Sequence, residues 1–132
     1  MNNVFVSCQD MDAAHAQSLI SALEQCNFTV QHSPRNPLHG ADPRWQDWYD
    51  RLLPELIAKA NAFVIVLDHV WDSSTWMATE SEEALSRIDL PMFVYNPHDV
   101  KVTSPTMLSY LKARLPDDAR EAAAHIKKAL KG

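Results

Sequence analysis

The sequence predicts an α/β fold: a mostly parallel, doubly wound sheet of four to five strands with helices on both faces. Two observations carry that expectation. Strand and helix signals alternate along the whole chain in the order β-α-β-α-β-α-β. The runs VFVS (4–7) and AFVIVLD (62–68) are apolar without polar alternation, the mark of strands covered on both sides.

Taken in order, residues 3–7 form the first buried strand. Residues 13–26 follow as a helix, because Ala16, Leu19, Ile20, Leu23 and Cys26 recur at helical spacing. FTVQHS (28–33) is the second strand. PRNPLHGADPR (34–44) holds three prolines and Gly40, so it is a loop, and a long one for an α/β unit. Trp45, Trp48, Tyr49, Leu52, Leu53, Leu56, Ile57 and Ala60 keep a helical period, with a kink or break expected near Pro54. Residues 62–68 are the central strand by composition. A helix over 76–88, a strand over 91–96 and a loop over 97–107 come next. SYLKARL (109–115) is a candidate last strand, and 117–130 close the chain as a helix with acids in its first turn and lysines in its last.

At 132 residues the chain is long enough for one domain with a real core, and a single domain over 1–132 is expected. Apolar residues make up 46% and charged residues 22%, which excludes a disordered or fibrous chain. No stretch approaches the roughly 18 apolar residues of a membrane helix, and MNNVFVSCQD does not read as a signal peptide. Cys8 and Cys26 lack metal-ligand spacing and are too few for a disulfide scaffold, so a cytoplasmic setting is expected. A formal charge of −5 argues against general nucleic-acid binding, which neutralises phosphates with Lys and Arg. An anionic ligand needs a local site.

Several chemistries drop out on motif grounds. One internal glycine allows neither G-x-G-x-x-G nor a Walker loop. His15, His32, His39, His69, His98 and His125 form no ligand pair, so no metal is expected. No G-x-S-x-G elbow is present. Asp68 ends a strand as a phosphoacceptor aspartate would, but Asp10 and Asp12 come late for the acidic pair such a site needs, and no lysine is suitably placed.

Ligands of doubly wound sheets bind beyond the carboxyl ends of the strands. The segments expected there are 8–12, 34–44, 68–76 and 97–107. WDSSTWMATE (71–80) therefore stands out. Asp72, Ser73, Ser74 and Thr75 are all good N-cap types, placing a helix start near Trp76. On that helix Met77, Ser81, Ala84, Leu85 and Ile88 share the packing face. Glu80 falls on its flank, one turn after Trp76, while Glu82 points to solvent and Glu83 lies farther round. Partial burial beside an aromatic ring tunes a carboxylate for chemistry. A capped amphipathic helix with a solvated glutamate is the competing reading, and the spacing alone leaves both open.

The ordered set of segments resembles a TIR (Toll/interleukin-1 receptor) domain over nearly the whole chain. VFVS with Asp12 resembles its first box, and HSPRNPLHGADPRW resembles the BB loop with Gly40. LIAKANAFVIVLDHVWDSSTWMATESEEAL resembles its most specific segment, in which S-x-W-x-x-x-E is Ser74, Trp76 and Glu80. YLKARLPDDAREAAAHI resembles its last strand and helix. The resemblance implies a flavodoxin-like fold and, for catalytic members, cleavage of the nicotinamide–ribose bond of NAD+. Glu80 is then the implied catalytic residue, with Ser7, Cys8, Gln9, Gly40, Trp71, Ser74 and Trp76 as the implied substrate-binding set. Trp71 either lines the pocket mouth or fills the core. The chain departs from many catalytic relatives in carrying Cys8 and Gln9 where they have an aromatic and basic residues.

NAD+ enters as substrate, and neither cofactor nor metal is implied. The product is ADP-ribose or a cyclic or conjugated form of it. The family setting implied is a bacterial stand-alone TIR enzyme of antiphage defence, self-associating through residues 34–44 and signalling to a separate effector protein, with no nucleic acid and no membrane as partners. Two other readings stand beside it: a non-enzymatic adaptor or host-mimicking interaction module, and an enzyme like the nucleoside deoxyribosyltransferases.

Overall fold

A computed structural model of the chain describes residues 3–8, 13–32, 51, 53–67, 90–101 and 114–131. These form β1 (Asn3–Cys8), α1 (Ala14–Gln25), β2 (Thr29–His32), α2 (Leu53–Lys59), β3 (Ala62–Val66), β4 (Met92–Tyr95) and α3 (Ala119–Lys131). The strands expected over 3–7, 28–33, 62–68 and 91–96 are all present with slightly shifted ends. The helix expected over 76–88 lies outside the described residues, as do 33–50, which include the whole of the expected loop 34–44.

The four strands make one sheet in the order β2-β1-β3-β4, with every pair parallel. Ser7 pairs with Ile65 and Cys8 with Val66, while Ile65 pairs with Val94 and Val66 with Tyr95. The candidate strand 109–115 is seen at its end. Arg114 bridges Val94 in parallel, and the Leu115 N–H donates to the Val94 carbonyl at 2.7 Å. That contact marks a fifth position beside β4 and extends the doubly wound order.

Alternation along the strands divides the core into two sides. Val4, Val6 and Cys8 of β1 join Ala62, Val64, Val66, Phe93 and Tyr95 in one cluster. Leu19 and Leu23 of α1 and Ala122, Ala123 and Ile126 of α3 cover it. The opposite side carries Phe5, whose ring stacks on Phe63 with centroids 5.5 Å apart and planes within 4°. All five residues of β3 are fully buried, which is why the run lacks a polar alternation. Burying each such side chain contributes about 1.5–3 kcal/mol.

The helix ends follow local chemistry. After α1, Asn27 adopts φ 68°, the Asn27 N–H bonds the Glu24 carbonyl and the Phe28 N–H bonds the Leu23 carbonyl. This pair of bonds turns the chain sharply into β2. Asp118 caps α3 by accepting from the Glu121 N–H at 3.0 Å, the Asp-x-x-Glu pattern of a capping box. Pro54 sits in the first turn of α2, where its missing N–H costs least. Arg51, three residues before it, lies in a π-helical turn. Asn3 and Asn61 join the start of β1 to the start of β3 through the Asn3 N–H on Asn61 Oδ1 at 2.7 Å and the Asn61 N–H on the Asn3 carbonyl at 2.7 Å. Among the described residues no helix is long and apolar enough to cross a membrane.

Candidate functional site

The carboxyl edge of the sheet is where ligands of this architecture bind, and two of the expected site residues end β1 there. Ser7 is fully buried, one of two buried polar side chains among the described residues, and Cys8 is buried beside it. As neighbours on a strand they point to opposite sides. Cys8 belongs to the cluster under α1 and α3, whereas Ser7 shares the side of Phe5. Of the two, only Ser7 lies outside that cluster. Gln9, Gly40, Trp71, Ser74, Trp76 and Glu80 lie outside the described residues.

A second construction at the same edge went unnoticed in the sequence. Asn96, the other buried polar residue, follows β4 and folds the chain back on itself. Its Nδ2 donates to the Val100 carbonyl at 3.1 Å, and its Oδ1 accepts from the Val100 N–H at 2.8 Å. Asp99 takes the left-handed φ of 53° inside this turn, a conformation Asp tolerates better than most residues. The Asn96 carbonyl accepts from Arg114 Nη2 at 2.8 Å, and Arg114 Nη1 reaches Asp99 Oδ1 at 3.0 Å. A longer contact joins Arg114 Nη2 to Asp117 Oδ1 at 3.3 Å. Tyr95 completes the set by donating its hydroxyl to the Asp117 carbonyl at 2.8 Å. The one sequence signal was the Asn-Pro pair directly after an apolar run, which marks a turn but not its partner.

The electrostatics of this latch are consistent with its geometry. The hydrogen bond to Asp99 raises the Arg114 pKa above its already high ordinary value, against a smaller opposing effect of burial. Burial pushes the Tyr95 phenol upward, and the charges of Asp118 and Asp117 push it further. Nearby, the rings of His15 and His98 meet edge to face at 4.6 Å, tying the start of α1 to the turn after β4. Among the described residues no group of three or more His, Cys, Asp or Glu side chains could hold a metal ion. The described part of the edge thus supplies a buried hydroxyl and a rigid rim.

No protein-family model matches the chain, and no curated protein matches it. Among solved structures it is similar to the TIR domains of the activated Roq1 resistosome, which directly recognises the pathogen effector XopQ. That likeness has a TM-score of 0.59 at 14% identity and covers 100% of this chain and 72% of that chain. At this identity the likeness speaks of fold, and the fold is the flavodoxin-like α/β arrangement of a TIR domain.

Proposed function

We propose that the chain is an NAD+-consuming enzyme of the TIR type, with Glu80 as its catalytic carboxylate. The observation that carries the reading is the position of Ser7 in a TIR-like sheet. α1 links β1 to β2 on the Cys8 side, and β4 lies on the opposite flank from β2. The right-handed rule for such connections favours the Ser7 side for the crossover from β3 to β4. The connection between those strands, residues 67–91, contains Ser74, Trp76 and Glu80. Handedness and alternation together favour a pocket shared by Ser7 and that segment.

The chemistry suits such a pocket. Breaking the bond between ribose C1′ and the pyridinium nitrogen sends the electron pair to nicotinamide, which leaves as a neutral ring. No general acid is needed. The ribose becomes oxocarbenium-like, and the Glu80 carboxylate stabilises that charge or holds the ribose hydroxyls. Water then attacks C1′ to give ADP-ribose, or an internal or added nucleophile gives a cyclic or conjugated product. Gln9, Trp71, Ser74 and Trp76 line the substrate in this reading.

Self-association through residues 34–44 belongs to the same proposal and draws support from the neighbour, whose TIR domains are part of a resistosome. A role in bacterial antiphage defence, with a separate effector reading the product, follows the family resemblance alone. The test is nicotinamide release from NAD+ by the purified chain, followed by mass spectrometry across a wide range of protein concentration. Absence of turnover at every concentration would leave the adaptor reading in its place.

A further inference from the structure

The strand order reverses between β1 and β3: the chain leaves β1 for β2 on one flank and β3 for β4 on the other. Ligands of such sheets sit in the crevice at that reversal, outside the carboxyl ends of the strands. The turn after β4 stands at its border. The Leu67 N–H donates to the Tyr95 carbonyl at 2.9 Å, so β3 and β4 stay paired up to the edge. Asn96 follows at once, one strand spacing of about 4.8 Å from β3. From there the turn reaches back across the edge, since His98 meets His15 in the first turn of α1, shortly after β1 ends.

Alternation puts the Asn96 side chain on the side of Ser7. Phe93 and Tyr95 belong to the cluster under α1 and α3, whereas the fully buried Val94 does not, and Asn96 continues the parity of Val94. The two buried polar side chains among the described residues thus share one side and one edge of the sheet. An apolar residue would be buried there at less cost. What Asn96 gains instead is the pair of bonds to Val100 that closes the turn. Arg114 grips the same turn through the Asn96 carbonyl and Asp99, and Asp99 keeps its left-handed φ of 53° within it. A turn fixed in advance spares a ligand the cost of ordering it.

We infer that Asn96 is a positioning residue of the NAD+ pocket, acting through the backbone of residues 97–100, which it holds as a preformed rim on the β4 flank. The inference rests on the proposed activity and adds to it a residue that touches no substrate.

Steady-state kinetics of the full chain with NAD+ test it, with thermal unfolding of each variant alongside. Asn96→Ala removes both bonds to Val100 and should raise KM about fivefold while kcat stays within about twofold. Pro97→Gly leaves every hydrogen bond of the turn in place but frees its backbone, and should raise KM about twofold. Asn61→Ala is the structural control. It loses the Asn3 N–H contact of 2.7 Å at the amino edge of the same sheet and should leave KM unchanged at a similar loss of Tm. If Asn96→Ala does not fold, Pro97→Gly carries the test, and an unchanged KM in it overturns the inference. So does a KM that rises equally in Asn96→Ala and Asn61→Ala, or in neither, while the activity itself stands. A wild-type chain without NAD+ turnover would instead remove the proposed activity, and the inference with it.

Discussion

The Tyr95 hydroxyl donates to the Asp117 carbonyl at 2.8 Å, joining the last residue of β4 to the segment that leads into α3. Tyr95→Phe removes this bond and little else, because the ring stays in the core. The expected loss is about 1 kcal/mol, read as a fall in Tm of about 3 °C. The bond also has a pH signature. The folded-state pKa of Tyr95 is raised from 10.0, so its share of stability is intact below that value and lost as pH rises through the folded pKa. Wild-type stability should therefore decline more steeply than that of Tyr95→Phe above about pH 10. Parallel curves would remove Tyr95 as the cause.

Arg114 holds the turn after β4 through a planar fork that spans the Asn96 carbonyl and Asp99. Lysine keeps the charge but cannot make both contacts in that geometry. Arg114→Lys should cost about 1 kcal/mol by denaturant unfolding, mainly through the part-buried bond to the backbone. Asp99→Asn should cost only a few tenths, because Asp99 is 85% exposed and solvent screens its charge. An equal loss in the two variants would show that the ion pair, and not the carbonyl contact, carries the latch.

Glu80→Gln should abolish nicotinamide release, by about 10³-fold or more if the carboxylate stabilises the developing charge. Its stability should stay within about 0.5 kcal/mol of wild type, as for a side chain on the flank of a helix. Glu82→Gln and Glu83→Gln should keep most activity. Retained turnover in Glu80→Gln would sink the catalytic assignment without touching the fold.

Ser7→Ala separates a site role from a packing role. Losing a buried hydroxyl should cost about 1 kcal/mol of stability. If Ser7 faces the substrate, KM for NAD+ should also rise by about fivefold to tenfold, the effect of one lost hydrogen bond. A stability change with unaltered kinetics would make Ser7 purely structural.

Residues 34–44 hold Pro34, Pro37, Pro43 and Gly40, followed closely by Trp45 and Trp48. If this segment completes the pocket of a second copy, Gly40→Val or Pro37→Glu should reduce activity far more than folding, since Val resists backbone conformations open to glycine. The deficit should shrink as protein concentration rises. Specific activity independent of concentration, in wild type and variants alike, would place a complete pocket in the monomer.

By itself the sequence determined the layered plan of the protein. Runs such as AFVIVLD are apolar on both sides, and only a sheet covered on both faces buries them. The ends of α1 and α3 were also local matters, set by Asn27 and Asp118 within a few residues of the bonds they govern. The expected site was read from Ser74, Trp76 and Glu80 in one short stretch, which lies outside the described residues. What only the tertiary structure decided depends on register and long-range contact. The side to which Ser7 points follows from pairing with Ile65, 58 residues away in the chain. Arg114 meets Asn96 across 18 residues, and no periodicity of either segment announces that bond. Local preference chooses elements, but the closing of distant segments on a shared core chooses which polar groups meet.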